Sequence, residues 1–275
     1  MKRLGVAGWP VAHSRSPALQ NAALAAAGLD RDWHYQLLPI PPELFEETVL
    51  ALPADGFRGL NVTLPYKARA LALATEASQR AQAIGAANTL VFRADGSIYA
   101  ENTDAIGFIN ELERIQPVSG ARALVLGAGG TARAALWALL DAHAAQVQVW
   151  NRTATRAEDL CSEIGGTPVT DLSVMDPADV IVNATSVGLH EGDSLSDLPI
   201  TQAMITKAAC VVDFVYRERG TPLAAAARAA GVPSVDGLQL LAAQGAPAFE
   251  LFTGHAADVS VLAAIRAALG LSSAP

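Results

Sequence analysis

Two sets of residues in this chain have the types and spacing to do chemistry. The first is Gly127-Ala128-Gly129-Gly130-Thr131-Ala132, directly after the apolar run Arg122–Leu126 and directly before an alanine- and leucine-rich segment. A first glycine permits a tight strand-to-helix turn, a second lets an anion approach the backbone, and Ala132 keeps the helix close to the sheet. The helix start then offers unpaired N–H groups and a positive dipole end. That combination binds the pyrophosphate of a dinucleotide. About 20 residues further on, where an NAD site places Asp or Glu, the chain reads Trp150-Asn151-Arg152-Thr153, with Arg156 beyond. Guanidinium groups bind a 2′-phosphate bidentately, so the pair selects NADP. A glycine turn with no ligand and two ordinary surface arginines is the simpler reading. Placement within a full strand–helix–strand unit disfavours it.

The second set lies in the first hundred residues. Ser14-Arg15-Ser16-Pro17, Asn61-Val62-Thr63-Leu64-Pro65-Tyr66-Lys67, Ala86-Ala87-Asn88-Thr89 and Glu101-Asn102-Thr103-Asp104 each stand at the end of an expected strand. They supply hydroxyls, amides, an ammonium and a carboxylate at sheet edges, where open α/β sheets place ligands. Such a set suits a small polyhydroxylated acid better than an apolar molecule. Singly, each has a bland account: Ser16 as an N-cap with Pro17 at N1, Asn61 and Asn88 tying turns, Lys67 as a solvated helix residue. Jointly, beside a nucleotide site, those accounts lose force.

The elements that must position these groups follow from periodicity. Strands are expected at Leu4–Ala7, Tyr35–Leu38 and Leu60–Val62, with helices from about Pro17 to Ala27 and from Glu43 to Leu52. Ala87–Arg93 and Ser97–Ala100 flank Asp95-Gly96, a hairpin signal. After the Gln116–Gly120 break come strand Arg122–Leu126, helix Thr131–Ala142, strand Gln146–Trp150 and helix Ala154–Ile164. Strands Val180–Asn183 and Val211–Asp213 and helices Leu238–Thr253 and Asp258–Leu269 complete the chain. This alternation predicts an α/β fold of two lobes: an N-terminal substrate lobe with a mostly parallel sheet, residues 1–104, and a Rossmann-type NADP-binding lobe, residues 105–237. Residues 238–275 are expected to pack back on the first lobe, and the active site to lie in the cleft between the two.

With 275 residues the chain is long enough for two such cores. Its aromatic content is only 5% against 51% hydrophobic residues, so the core rests on Ala, Val and Leu. The net charge of −8 and the lack of a Lys/Arg cluster argue against nucleic-acid binding. No apolar run is long enough for a membrane span or a signal peptide. Cys161 and Cys210 have no metal or redox spacing and the five histidines are scattered, so no metal site and a reduced, cytoplasmic setting are expected.

The order of the motifs resembles that of shikimate dehydrogenases. Ser14-x-Ser16-Pro17, Asn61-Val62-Thr63-x-Pro65-x-Lys67, Gly85-Ala86-x-Asn88-Thr89, Asn102-Thr103-Asp104-x-x-Gly107 and Gly127-x-Gly129-Gly130 come first. Asn151-Arg152-Thr153, Asn183-Ala184-Thr185-Ser186-x-Gly188, Asp213-x-x-Tyr216 and Asp236-Gly237-Leu238 with Gln244 continue the series over nearly the whole chain. The resemblance implies reversible, NADPH-dependent reduction of 3-dehydroshikimate to shikimate, on the way to aromatic amino acids. It implies that Ser14 and Ser16 hold the substrate carboxylate, that Thr63, Asn88, Asp104 and Gln244 bind ring hydroxyls, and that Lys67 with Asp104 is the catalytic pair. It assigns NADP to Gly127, Ala128, Gly129, Gly130, Asn151, Arg152, Thr153 and Arg156. Thr185, Phe214, Tyr216 and Gly237 fall near the nicotinamide, with Tyr216 also on the substrate. A small-molecule substrate and a monomer or homodimer are the expected partners. Gln20, Arg217-Glu218, Phe214 and Leu240 depart from the common pattern without removing a catalytic group. A quinate- or aminoshikimate-oxidising relative, a non-catalytic NADP sensor and a folate-linked dehydrogenase are the rival readings.

Overall fold

The computed structural model describes residues 1–174, 176–217 and 219–272. Among them the first hundred residues form strands β1 (Lys2–Gly8), β2 (Trp33–Pro39), β3 (Phe57–Val62), β4 (Glu76–Ala77), β5 (Thr89–Phe92) and β6 (Ile98–Glu101). Helices α1 (Ser16–Ala26), α2 (Phe45–Ala51), α3 (Lys67–Leu73) and α4 (Gln79–Ile84) alternate with them. The chain continues through α5 (Thr103–Glu113), β7 (Arg122–Leu126), α6 (Gly130–Asp141), β8 (Gln146–Trp150), α7 (Ala154–Ile164), β9 (Thr167–Pro168) and β10 (Val180–Asn183). It ends with α8 (Gln202–Lys207), β11 (Cys210–Asp213), α9 (Pro222–Ala229), β12 (Ser234–Val235), α10 (Gly237–Thr253) and α11 (Val259–Ala268). Two compact units result, Met1–Thr103 with Leu241–Pro275, and Asp104–Leu240.

In the first unit the sheet order is β2-β1-β3-β5-β6-β4. β1 is parallel to β2 and β3, and β4 to β6, while β5 is antiparallel to both its neighbours. Asn61 pairs with Thr89, and Thr89 with Glu101. The ends of β1, β3 and β6 and the start of β5 therefore share one edge. Tyr66 stacks on Phe45 with ring centroids 4.2 Å apart, within a core of Val49, Leu60, Leu90 and Ala100. α10 seats closely because Gly59 has no Cβ: one would lie 2.3 Å from the Phe252 ring. Gly245 does the same against Leu19, where the gap would be 2.6 Å. Asp258 caps α11 by accepting from the Ser260 and Val261 N–H groups, and α11 lies along α1, where Arg15 donates to the Ala268 carbonyl.

In the second unit the order is β12-β11-β10-β7-β8-β9, and all pairings are parallel. The strand order reverses at β7, whose carboxyl end runs into Gly127. Such a switch point opens a crevice for a ligand in a doubly wound sheet. β10 and β11 are buried along their whole length, which explains their unbroken apolar reading.

Several expected boundaries shift. The second helical segment opens with a 3₁₀ turn, Pro42–Leu44, before α2. α6 begins at Gly130 and α10 at Gly237, one residue early in each case. Ser16 is not an N-cap. It is the first helical residue, and Arg15 occupies the cap position with α-region dihedrals and no side-chain cap bond. The capping reading fails because the Ser14 hydroxyl takes that part, accepting from the Ser16 N–H at 3.3 Å.

Candidate functional site

The first unit gathers its polar groups on the shared edge. Thr63, half-buried after β3, donates its N–H to the Ala7 carbonyl at 2.9 Å, and Trp9 donates to the Leu64 carbonyl at 3.1 Å, which joins the β1 and β3 loops. Gly8 makes this possible, since a Cβ there would stand 2.5 Å from the Thr63 methyl. Lys67, half-buried, opens α3, and its carbonyl accepts from the Ala87 N–H at 2.9 Å. Ser14 donates to the Ser16 oxygen at 3.2 Å.

Asn88 is the hub. It is buried, accepts from the Thr103 N–H at 2.7 Å, and donates to the Thr103 hydroxyl at 2.9 Å and to Gln244 Oε1 at 3.3 Å. A residue from α10 thus joins the residue before β5 to the first residue of α5. Asn61 reaches the same cluster by donating to the Asn88 carbonyl at 3.2 Å and to the Thr89 hydroxyl at 3.0 Å. Tyr35, Asn61, Thr89 and Thr103 were not among the residues expected to bind. The signal for Tyr35 was present: a tyrosine buried in a strand requires a partner for its hydroxyl. Glu101 belongs elsewhere. Its carboxylate accepts from the Ser78 hydroxyl at 2.7 Å, the Asn102 N–H at 2.7 Å and Arg80 at 3.2 Å, so it ties α4 to β6.

The second unit carries Asp104, half-buried in the first turn of α5, and the glycine turn. Gly127 has φ +112°, and a Cβ on it would meet the Ala184 carbonyl oxygen at 2.8 Å. Its glycine is thus required by the fold. Gly129 differs: its backbone is extended and a Cβ there would meet nothing within 4 Å. No internal contact explains a glycine at 129, whereas a pyrophosphate lying against the backbone does. Ala128 and Gly130 flank it, and Ala132 is fully buried against the sheet.

After β8, Asn151 donates to the Thr153 carbonyl at 2.9 Å, shaping the turn into α7. Arg152 and Arg156 are both exposed and make no ion pair among the described residues. Two unneutralised guanidinium groups therefore flank that turn. Thr185 donates to Asn183 Oδ1 at 2.7 Å. Phe214 stacks on Phe108 at 5.5 Å between centroids, and Gly237 packs on the Phe214–Val215 backbone, where a Cβ would come within 2.7 Å. Tyr216 is half-buried in the loop after β11, next to Arg217; the departure at Glu218 lies outside the described residues.

The residues present fit a dinucleotide phosphate on the second unit and a small polar molecule on the first. Family models for the shikimate dehydrogenase substrate-binding domain, shikimate/quinate 5-dehydrogenase and the shikimate 5′-dehydrogenase C-terminal domain match residues 6–90, 111–192 and 237–269. A shikimate dehydrogenase (NADP(+)) of Paracoccus denitrificans is 42% identical over 263 residues, 93% of this chain and 92% of that protein. The chain belongs to the shikimate dehydrogenase family. The corresponding enzyme of Anaeromyxobacter dehalogenans is 45% identical over 271 residues, 94% of this chain and 93% of its own. In structure, this family member matches the Thermus thermophilus shikimate 5-dehydrogenase in complex with NADP(H) and shikimate with a TM-score of 0.85 and 40% identity. That match covers 98% of this chain and 100% of the other. The Aquifex aeolicus shikimate dehydrogenase gives 0.89 and 35% identity over 98% and 97%. Among the described residues no helix is long and apolar enough to cross a membrane.

Proposed function

We propose that this enzyme catalyses the reversible, NADPH-dependent reduction of 3-dehydroshikimate to shikimate. The observation that carries the reading is the bond of Gln244, from α10, to Asn88 at the sheet edge where Thr63 and Lys67 are also tied, in a chain whose glycine turn leaves Gly129 open. Ser14 and Ser16 stand at a helix start and donate to the substrate carboxylate. Thr63, Asn88 and Gln244 bind ring hydroxyls, as does Asp104, and Tyr216 also binds the substrate. Gly127, Ala128, Gly129 and Gly130 hold the pyrophosphate, and Asn151, Arg152, Thr153 and Arg156 hold the 2′-phosphate end. Thr185, Phe214 and Gly237 line the nicotinamide end.

NADPH, when bound, supplies the hydride. As charge develops on the carbonyl oxygen, Lys67 delivers a proton to it from its ammonium, and Asp104 accepts a hydrogen bond from the neighbouring hydroxyl. In the reverse direction the same nitrogen takes the proton back. The two cysteines are free and buried, in keeping with a reducing cytoplasm, and a monomer or homodimer serves this chemistry. A spectrophotometric assay of shikimate and quinate, each against NADP and NAD, tests the proposal. Preferred turnover of shikimate with NADP supports it, and preferred turnover of quinate with NAD replaces it.

A further inference from the structure

Gln20 is 1% exposed and lies on α1, one helical turn after the buried Ser16 and so on the same face. Its amide donates to the Gly245 carbonyl of α10 at 3.0 Å. Turned over, the amide would set its oxygen against that carbonyl oxygen, so the contact fixes its orientation. Gln20 Oε1 is then left buried without a hydrogen-bond partner among the described residues. We infer that Gln20 is a positioning residue that fixes the spacing between Ser16 on α1 and Gln244 on α10; this rests on the substrate reading proposed above.

α10 needs an outside brace at this point. Pro247 lies inside the helix and has no N–H, so the rung that would reach the Ala243 carbonyl is missing. The helix is weakened across the turn that carries Gln244. Gln244 Oε1 accepts from Asn88 Nδ2 and from the Thr103 hydroxyl, both at 3.3 Å. Those bonds hold the side chain, whereas Gln20 holds the backbone one residue on. Gly245 lets α1 come close enough for this, since a Cβ there would stand 2.6 Å from Leu19.

The unpaired oxygen tells what the bond is for. A buried acceptor without a donor costs the fold more than an apolar side chain of the same shape. Methionine would fill the same space with neither that cost nor the bond. A glutamine at this position is therefore explained by the group its N–H reaches, not by packing. That group stands next to Gln244, and the other end of the tie lies one turn from Ser16. On the proposed reading these two side chains take a ring hydroxyl and the carboxylate of one small substrate, so their spacing must match it.

Gln20→Met keeps the length of the side chain and removes both ends of the amide. The variant is expected to melt at or above the wild-type temperature. Its KM for shikimate should rise about three- to tenfold, the effect of one lost hydrogen bond. The KM for NADP should stay within about twofold, and kcat at saturation should fall less than about threefold. A glutamine that only supports the fold predicts the reverse: a lower melting temperature in Gln20→Met and Gln20→Leu alike, or no folding of either, with both KM values raised together. That result overturns the inference, and so does a wild-type KM for shikimate in Gln20→Met. A wild type that cannot oxidise shikimate is a different failure, since it removes the substrate reading and with it the purpose of the spacing.

Discussion

Asn183 Nδ2 donates to Asp213 Oδ1 at 2.9 Å, linking the carboxyl ends of adjacent strands β10 and β11. Each partner also ties the loop that follows it. Asn183 accepts from the Thr185 N–H at 3.1 Å and hydroxyl at 2.7 Å and donates to the Val187 carbonyl at 3.0 Å. Asp213 accepts from the Val215 N–H at 3.0 Å and the Thr221 hydroxyl at 2.5 Å. Both loops that carry Thr185, Phe214 and Tyr216 thus hang on one buried pair.

Burial pushes the Asp213 carboxyl up to about 6, although Thr221, Val215 and Asn183 all favour its charged form. Between the ordinary value of 3.8 and about 6 the native state holds a proton that the unfolded chain has released. Stability from this group is therefore present at low pH and is lost as pH rises through that window, by about 3 kcal/mol in total. In Asp213→Asn the window disappears, while a carbonyl oxygen remains for Asn183 and Val215. Urea unfolding of both proteins from pH 4 to 7.5 should show the variant gaining on the wild type up to about pH 6 and then running level. A difference that does not change with pH would show that Asp213 ionises as an ordinary carboxylate.

The two glycines of the turn proposed to hold the pyrophosphate should separate on substitution. Gly127→Ala forces a left-handed backbone and a clash with the Ala184 carbonyl, so it should destabilise the protein by about 1–3 kcal/mol and lower its melting temperature. Gly129→Ala meets nothing inside the protein. It should melt like the wild type while the KM for NADP rises. Equal melting losses in the two variants would mean that Gly129, too, is there for the fold.

Arg152 lies exposed beside the β8–α7 turn. Charge-assisted hydrogen bonds to a 2′-phosphate are worth roughly 1.5–3 kcal/mol, so Arg152→Ala should raise the KM for NADP at least about tenfold. The KM for NAD should hardly change. Matching losses with both cofactors would assign the arginine to the fold.

How far the sequence leads can be judged from these same residues. The glycine turn, the arginine pair and the edge clusters were legible because each is short, local and tied to a strand end. The buried wiring was not. Tyr35 and Asn61 are 26 residues apart, and Asn88 and Gln244 are 156 apart; only the β1–β3–β5 order and the seating of α10 bring them together. Short helices such as α4, held by Ser78 accepting from the Ala81 N–H, and α8, held by Thr201, were also missed. Six residues give too little periodicity to register. The cap account of Ser16, the bland alternative, draws on Pro17 as a local signal, but the helix begins one residue earlier than that signal implies.

Ser14 has two duties that substitution can separate. Its oxygen accepts from the Ser16 N–H at the start of α1, and its hydroxyl, which donates to the Ser16 oxygen at 3.2 Å, would have to turn from there toward an anion. Ser14→Ala should weaken shikimate binding more than NADP binding, measured by calorimetry, with a small loss of stability from the frayed helix start. Normal shikimate binding would place the carboxylate elsewhere and overturn the proposed substrate orientation.

The proposed chemistry turns on Lys67. It begins α3, and its carbonyl is fixed by the Ala87 N–H, so the side chain projects from a braced position at the edge where Thr63 and Asn88 also stand. When hydride reaches the carbonyl carbon, the oxygen needs a proton at once, and a positioned acid typically contributes about 10²–10⁴-fold. Lys67→Ala should lose kcat on that order while NADP and shikimate still bind. A lysine that only binds substrate predicts the opposite pattern, a raised KM with kcat spared. Adding a primary amine to the assay sharpens the comparison: partial recovery of kcat by the amine supports proton transfer at this nitrogen. Steady-state kinetics with a near-normal kcat at saturating shikimate would remove Lys67 from the proton-transfer step and leave it a binding group.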